Sequence, residues 1–124
     1  MAKIMVIDDD SEIRDTLVDL FQTQGHQVRG AGDGKAALEM VAVERPDVMI
    51  TDIIMPEKDG IQLIAEIKRR YGHIPIIAMS GGGRIPASVY LAHVSSLGEI
   101  VTLEKPFKVS ALMRAVEKVL NRNT

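Results

Sequence analysis

The chain has 124 residues with 46% hydrophobic and 26% charged residues, so we expect one domain with its own core rather than a disordered or membrane protein. Its net charge of −2 gives no reason to expect nucleic-acid binding, and the lack of cysteine excludes disulfides, thiolate catalysis and zinc–thiolate sites. With no signal peptide and no apolar run long enough to span a bilayer, a cytoplasmic location is predicted.

Five short apolar strands alternate with five helices along the chain, as the spacing of apolar residues and the turn residues between them indicate. In chain order, the predicted elements are strand Lys3–Ile7, helix Ser11–Gln24, strand His26–Ala31, helix Lys35–Glu44, strand Val48–Thr51, helix Gly60–Tyr71, strand Ile74–Ser80, helix Pro86–Leu97, strand Ile100–Leu103 and helix Val109–Asn121.

This alternation predicts an α/β fold with a parallel sheet covered by helices on both faces. Right-handed crossovers leave few topologies, and the flavodoxin-like, doubly wound (βα)5 sandwich with strand order 2-1-3-4-5 fits best. The mixed composition of the second strand suits the edge position that this order gives it. We predict one domain over residues 1–124.

Polar residues follow the apolar strands where each strand ends. In a parallel sheet these ends lie along one edge, which is where ligands of open α/β sheets bind. The residues expected to meet there are Asp8, Asp9, Asp52, Ser80 and Lys105.

Three carboxylates at one edge repel one another. Two like charges about 4 Å apart at an effective dielectric constant near 20 cost about 4 kcal/mol, so either a pKa rises or a cation binds. An all-oxygen site on a water-accessible edge favours Mg²⁺ over Ca²⁺. With the ammonium of Lys105 and the hydroxyl of Ser80, such a site suits phosphoryl oxygens, and Asp52 can then attack phosphorus.

Four motifs carry a resemblance to a known family. They are VIDDD (Val6–Asp10), DIIMPEKDG (Asp52–Gly60), AMSG (Ala78–Gly81) and EKPF (Glu104–Phe107). In their order and spacing the chain resembles the receiver domain of two-component response regulators, over nearly its whole length.

The resemblance implies a magnesium site and a phosphoryl acceptor. Asp9 and Asp52 would bind Mg²⁺ directly together with the backbone carbonyl of Ile54, whereas Asp8 would act largely through water. Asp52 would accept a phosphoryl group from a phosphohistidine on a sensor histidine kinase or a histidine phosphotransfer protein.

The resemblance also implies how the phosphoryl group is held. Ser80 and Lys105 would bind its oxygens, and the Lys105–Pro106 peptide would be cis. Many relatives carry a switching aromatic residue three positions before the lysine, where this chain has Thr102, so the switch mechanism is not assigned. The chain is expected to catalyse only its own phosphorylation and dephosphorylation and is not expected to be an enzyme otherwise.

Phosphorylation is expected to change the surface formed by the fourth and fifth predicted helices and the last strand, and a homodimer through this face is compatible with the sequence. No membrane or direct nucleic-acid partner is expected, and the downstream protein target is not assigned. Because no output domain is predicted before Thr124, the chain is expected to be a stand-alone regulator, a phosphorelay carrier or a receiver from a larger protein; the Met-Ala-Lys start favours the first.

Two alternatives remain open at this point. A phosphatase of the haloacid dehalogenase type also uses an aspartate at a strand end, Mg²⁺ and a lysine, and Asp8-x-Asp10 matches its D-x-D motif but leaves Asp52 unexplained. A degenerate receiver would bind partners without phosphorylation, which the intact set of acids, Ser80 and Lys105 argues against.

Overall fold

A computed structural model of the chain describes residues 1–53, 60–80 and 100–122, within which five strands and four helices are formed. In chain order they are β1 (Lys3–Ile7), α1 (Ser11–Thr23), β2 (Gln27–Ala31), α2 (Gly34–Val43), β3 (Val48–Asp52), α3 (Gly60–Tyr71), β4 (Ile76–Ser80), β5 (Ile100–Glu104) and α4 (Val109–Arg122). The helix predicted over Pro86–Leu97 lies outside the described residues, and α4 corresponds to the fifth predicted helix.

The five strands form one parallel sheet in the order β2-β1-β3-β4-β5, which confirms the predicted topology. Residues near the strand ends are in register across the sheet: Ile7 pairs with Thr51, Asp52 with Met79, and Ser80 with Glu104. The carboxyl ends of β1, β3, β4 and β5 therefore lie side by side along one edge.

Most predicted boundaries agree with the observed ones to within one residue, and the differences have local causes. The predicted strand over Ile74–Ser80 begins only at Ile76, because Pro75 has no N–H to donate to the sheet. The second strand begins at Gln27 rather than His26, whose N–H bonds the carbonyl of Phe21 at the end of α1. β3 extends to Asp52, so the expected acceptor is itself the last residue of a strand.

The core lies on both faces of the sheet because side chains alternate along each strand. In β1, Met5 and Ile7 join the cluster beneath α2 and α3, whereas Ile4 and Val6 join the cluster beneath α1 and α4. All five residues of β3 are buried, as expected of a central strand covered on both faces.

Aspartates cap the first two helices. A carboxylate oxygen of Asp10 accepts from the N–H groups of Glu12 and Ile13 at 2.9 and 3.3 Å, and Asp33 accepts from the N–H of Ala36 at 2.8 Å. These bonds satisfy N–H groups that have no partner within a helix. Among the residues that the structure describes, no helix has the length and apolar character needed to cross a membrane.

We expect the packing of α4 against the sheet to contribute strongly to stability. Val116 is 2% exposed, and replacing it with alanine removes two buried methyl groups and leaves a cavity, so Val116→Ala should lower the free energy of unfolding by about 2–3 kcal/mol. The matched control is Val43→Ala, also in a helix but at a residue 85% exposed, which should change it by less than about 0.5 kcal/mol. Urea denaturation of both variants measures this, and equal losses would contradict the packing.

Candidate functional site

The edge formed by the carboxyl ends of the strands brings acidic residues from β1 and β3 together. Asp8 directly follows β1, and its N–H donates to the carbonyl of Ala31 at 3.1 Å, which extends the pairing of β1 with β2 by one step. Asp52 ends β3, and the next N–H, that of Ile53, donates to the carbonyl of Met79 at 2.9 Å. Both aspartates are therefore held by the sheet itself rather than by a free loop.

Lys105 joins these two carboxylates. It follows β5 directly, and its ammonium nitrogen Nζ lies 3.3 Å from Oδ2 of Asp52 and 3.5 Å from Oδ2 of Asp8. The side chain of Asp8 is only 1% exposed, that of Asp52 13% and that of Lys105 25%. The side chain of Lys105 therefore reaches past β4 and places one positive charge between the two largely buried carboxylates.

Burial and neighbouring charges shift two of these groups. Burial raises the pKa of Asp8, and the negative charge of Asp52 adds to this, although the N–H of Asp10 and the charge of Lys105 act in the opposite direction. Burial alone would lower the pKa of Lys105, but attraction to Asp52 and Asp8 outweighs it and raises that pKa. Lys105 is therefore positively charged at neutral pH.

Three carboxylates converge closely enough to share a cation. Asp8, Asp9 and Asp52 each place a carboxylate oxygen within 4.8 Å of the other two, and Asp9 is exposed to solvent. A donor set of carboxylate oxygens on an open edge fits a hard ion such as Mg²⁺, which keeps several waters and takes few protein ligands. These are three of the four predicted metal-binding residues; the fourth, Ile54, lies outside the described residues.

The neighbouring Asp10 has a different role. Its carboxylate accepts from N–H groups of the first turn of α1, while its own N–H donates to Oδ1 of Asp8 at 3.0 Å. The structure therefore separates Asp10 from the converging carboxylates, which does not favour Asp8-x-Asp10 as a D-x-D catalytic pair.

The remaining predicted residues are placed in part. Ser80 is the last residue of β4, as predicted, and pairs with Glu104, but its side chain lies outside the described part of the structure. The Lys105–Pro106 peptide is cis, which confirms that prediction. Thr102 lies in β5 and is partly buried.

The sequence analysis missed one residue in contact with this site. The guanidinium nitrogen Nη1 of Arg14 donates to the backbone carbonyl of Asp8 at 2.9 Å. The only sequence signal for this contact was weak. Gly30 and Gly32, two residues apart near the end of an edge strand, lack side chains and so leave room for a long side chain on one face.

An open groove of about 640 Å³ lies beside the site, between α1 and the residues that follow β5. Ile13 and Leu17 contribute from α1, and Pro106 and Phe107 from the other side, so its lining is mainly apolar. Lys105 also lines this groove, which therefore adjoins the carboxylates.

Comparisons with known proteins agree with this geometry. A family model described as "Response regulator receiver domain" matches residues 4–117. Among curated proteins, the chain is 32% identical over 118 residues to sporulation initiation phosphotransferase F of Bacillus subtilis, covering 95% of this chain and 93% of that protein. It is 37% identical over 123 residues to the DNA-binding transcriptional regulator NtrC of Azospirillum brasilense, covering 99% of this chain but only 25% of that protein.

Solved structures show the same fold. A response regulator receiver domain protein from Clostridium thermocellum superposes with a TM-score of 0.87 at 29% identity, covering 99% of this chain and 97% of that chain. The similarity therefore extends over the whole sheet and the residues at its edge.

We expect Asp8→Asn to stabilise the protein at neutral pH without Mg²⁺. A pKa raised above 3.8 means that the folded state holds the proton more tightly than the unfolded state, so the contribution of Asp8 to stability falls as pH rises through the interval between the two pKa values. Asparagine removes this loss, and its amide oxygen can still accept from Asp10. Urea denaturation and thermal melting at pH 7 measure the gain, each kcal/mol corresponding to about 4 °C in Tm.

The control is Asp15→Asn, an exposed aspartate of α1, which should leave the stability nearly unchanged. The gain in stability of Asp8→Asn over the wild type should be smaller at pH 4 than at pH 7, because Asp8 of the wild type is then more protonated. A destabilised Asp8→Asn at pH 7 would mean that the attraction of Lys105 outweighs the cost of burying the charge.

Proposed function

The chain belongs to the response regulator receiver family, whose members are phosphorylation-dependent signalling switches, and we propose that its own acceptor is Asp52. The single observation that carries this assignment is the position of Lys105 Nζ, 3.3 Å from Asp52 Oδ2, at an edge that also presents Asp8 and Asp9. A nucleophile, a fixed cation and acidic metal ligands are the groups that phosphoryl transfer to a carboxylate requires. The relative named a phosphotransferase supports the same chemistry.

In the proposed step, a carboxylate oxygen of Asp52 attacks the phosphorus of a phosphohistidine on a sensor histidine kinase or a histidine phosphotransfer protein. A bond forms between this oxygen and phosphorus, while the bond between phosphorus and the imidazole nitrogen breaks. The electron pair stays on that nitrogen. A proton on the other ring nitrogen of the phosphohistidine lets the imidazole leave as a neutral group, so the products are an acyl phosphate on Asp52 and a neutral histidine on the partner.

The acidic residues would hold the cofactor Mg²⁺. When bound, the ion neutralises charge on the phosphoryl oxygens during transfer. Asp9 and Asp52 would be direct ligands, with the carbonyl of Ile54, and Asp8 would act largely through water. The burial of Asp8 favours this division, since its side chain is 1% exposed whereas Asp9 is exposed.

Lys105 would bind a phosphoryl oxygen. Its raised pKa keeps the ammonium charged, and its contacts with Asp8 and Asp52 hold it where charge develops during transfer. Ser80 would supply a hydroxyl to the same group, because it ends β4, the strand beside β3.

The partner would approach over the apolar groove beside Lys105. This groove lies between α1 and the residues after β5, so a partner that brings a phosphohistidine to Asp52 would cover it. Phosphorylation would bias an existing two-state equilibrium and alter a surface that includes α4 and the predicted helix Pro86–Leu97, through which a homodimer is also proposed. We propose that residues 1–124 act as one receiver domain located in the cytoplasm, catalysing only its own phosphorylation and dephosphorylation.

The two alternative functions are not favoured. A haloacid dehalogenase-type phosphatase would need Asp8 as nucleophile, but that side chain is almost fully buried and paired with Lys105, and Asp10 caps α1. A receiver that works without phosphorylation would not need to keep Lys105 between two aspartates at a cost in desolvation.

We expect one phosphoryl group per chain when the wild type is incubated with acetyl phosphate and Mg²⁺, and none on Asp52→Asn, because the amide is not a nucleophile. Intact-mass spectrometry measures both. The control is Asp33→Asn, at the N-cap of α2, where asparagine caps as well as aspartate and phosphorylation should be unchanged.

An adduct that persists on Asp52→Asn and disappears on Asp8→Asn would contradict the assignment and return the phosphatase-like chemistry to consideration. No adduct on a wild type that binds Mg²⁺ would point to the receiver that works without phosphorylation.

Lys105→Met should slow phosphorylation of Asp52 by acetyl phosphate at least about tenfold, because it removes the fixed cation beside the acceptor. The rate of adduct formation at saturating Mg²⁺ measures this. The matched control is Lys108→Met, an exposed lysine three residues along, which should react like the wild type. Equal rates for Lys105→Met and the wild type would remove Lys105 from the proposed machinery.

A further inference from the structure

We propose that Arg14 is a positioning residue of the metal site, which orients Asp8 and Asp9 through the peptide group that joins them. This inference rests on the proposed function, since it concerns how the chain holds the ligands of the same Mg²⁺ ion. Helix α1 would then support the metal site as well as line the groove beside it.

The contact on which the inference depends links α1 to the end of β1. Nη1 of Arg14 donates to the carbonyl of Asp8 at 2.9 Å, and the backbone N–H of Arg14 donates to the carbonyl of Asp10 at 2.9 Å. One residue therefore bonds to the chain on both sides of Asp9, the most exposed member of the carboxylate cluster.

Because the peptide group is planar, the bond from Arg14 to the carbonyl of Asp8 also affects Asp9. The carbonyl of Asp8 and the N–H of Asp9 belong to one rigid plane, so fixing the carbonyl also fixes the direction in which the chain enters Asp9. The N–H of Asp8 is already bonded to Ala31, and its Oδ1 to the N–H of Asp10. Arg14 completes this set by holding the remaining backbone group of Asp8.

The chain provides a space for the Arg14 side chain. A Cβ atom at Gly30 would lie 3.1 and 3.2 Å from Cδ and Cγ of Arg14, and one at Gly32 would lie 3.1 Å from Nη1, the donating nitrogen. Neither glycine has a positive φ, so the backbone alone does not require glycine at these positions. Glycine at these two positions instead leaves the space that the Arg14 side chain occupies.

Positioning and charge predict opposite effects on Mg²⁺ affinity. A positive guanidinium near a cation site repels the cation, so if charge were its only effect, Arg14→Met would tighten binding. If Arg14 positions the ligands, the same substitution should weaken binding about tenfold or more, the usual effect of losing a group that orients a metal ligand. Methionine retains much of the apolar length of arginine, which limits the loss of packing.

The experiment titrates MgCl₂ into metal-free protein at fixed ionic strength by calorimetry, and measures backbone ¹⁵N relaxation without Mg²⁺. Arg14→Met should weaken Mg²⁺ binding about tenfold and increase the mobility of Asp9. Arg14→Lys, which keeps the charge and one donor, should lie between Arg14→Met and the wild type. Arg114→Met is the matched control, an exposed arginine of α4, and should bind Mg²⁺ like the wild type.

Gly32→Ala tests the same contact with Arg14 in place. Its Cβ should displace Nη1 and weaken Mg²⁺ binding, but it should have little further effect in the Arg14→Met background, where the donor is already gone. Additive losses from the two substitutions would overturn the inference.

The proposed function and this inference fail differently. A wild type that neither binds Mg²⁺ nor is phosphorylated overturns the proposed function. The role of Arg14 alone is overturned if the wild type binds Mg²⁺ and is phosphorylated while Arg14→Met binds Mg²⁺ as tightly or more tightly and the backbone mobility of Asp9 does not change.

Discussion

The structure depends most on a balance of charge at one edge of the sheet. Two aspartates are buried there with one lysine between them, and their carboxylate oxygens lie 3.3 and 3.5 Å from its ammonium nitrogen. Among the described residues, one positive charge lies between these two negative charges, and the carboxylate of the exposed Asp9 adds a third, so this edge can hold a further cation. In the proposed function that cation is Mg²⁺, and the phosphoryl group then adds negative charge that Mg²⁺ and Lys105 attract.

Three consecutive aspartates serve three different purposes because of the geometry that follows β1. Asp8 still belongs to the pairing with β2 and points into the buried edge, Asp9 faces solvent, and Asp10 begins α1. Within three residues, the end of one strand thus leads through a turn with two proposed metal ligands to the N-cap of a helix. Arg14, one turn into that helix, bonds back to the carbonyl of Asp8, which makes α1 part of the support for the site.

The same sheet that forms the core also sets the positions of the site residues. Side chains of β1 and β3 alternate between two apolar clusters, one on each face, which leaves the strand ends as the place where polar residues can gather. Asp52 pairs with Met79 within the sheet, so the pairing of β3 with β4 holds its backbone. If Asp52 is the acceptor, as proposed, we expect any change on phosphorylation to occur in the groups around it.

The sequence by itself determined the alternation of strands and helices, the strand order, and the convergence of Asp8, Asp9, Asp52 and Lys105, since these follow from apolar spacing and from where parallel strands end. Only the tertiary structure decided which charges are buried and paired. Nothing in the spacing of Asp8 and Asp9 distinguishes a carboxylate that is almost fully buried from one in solvent, because that depends on what lies above each of them. The bond from Arg14 to Asp8 and the space left by Gly30 and Gly32 likewise join residues on three different elements, which no local pattern reveals.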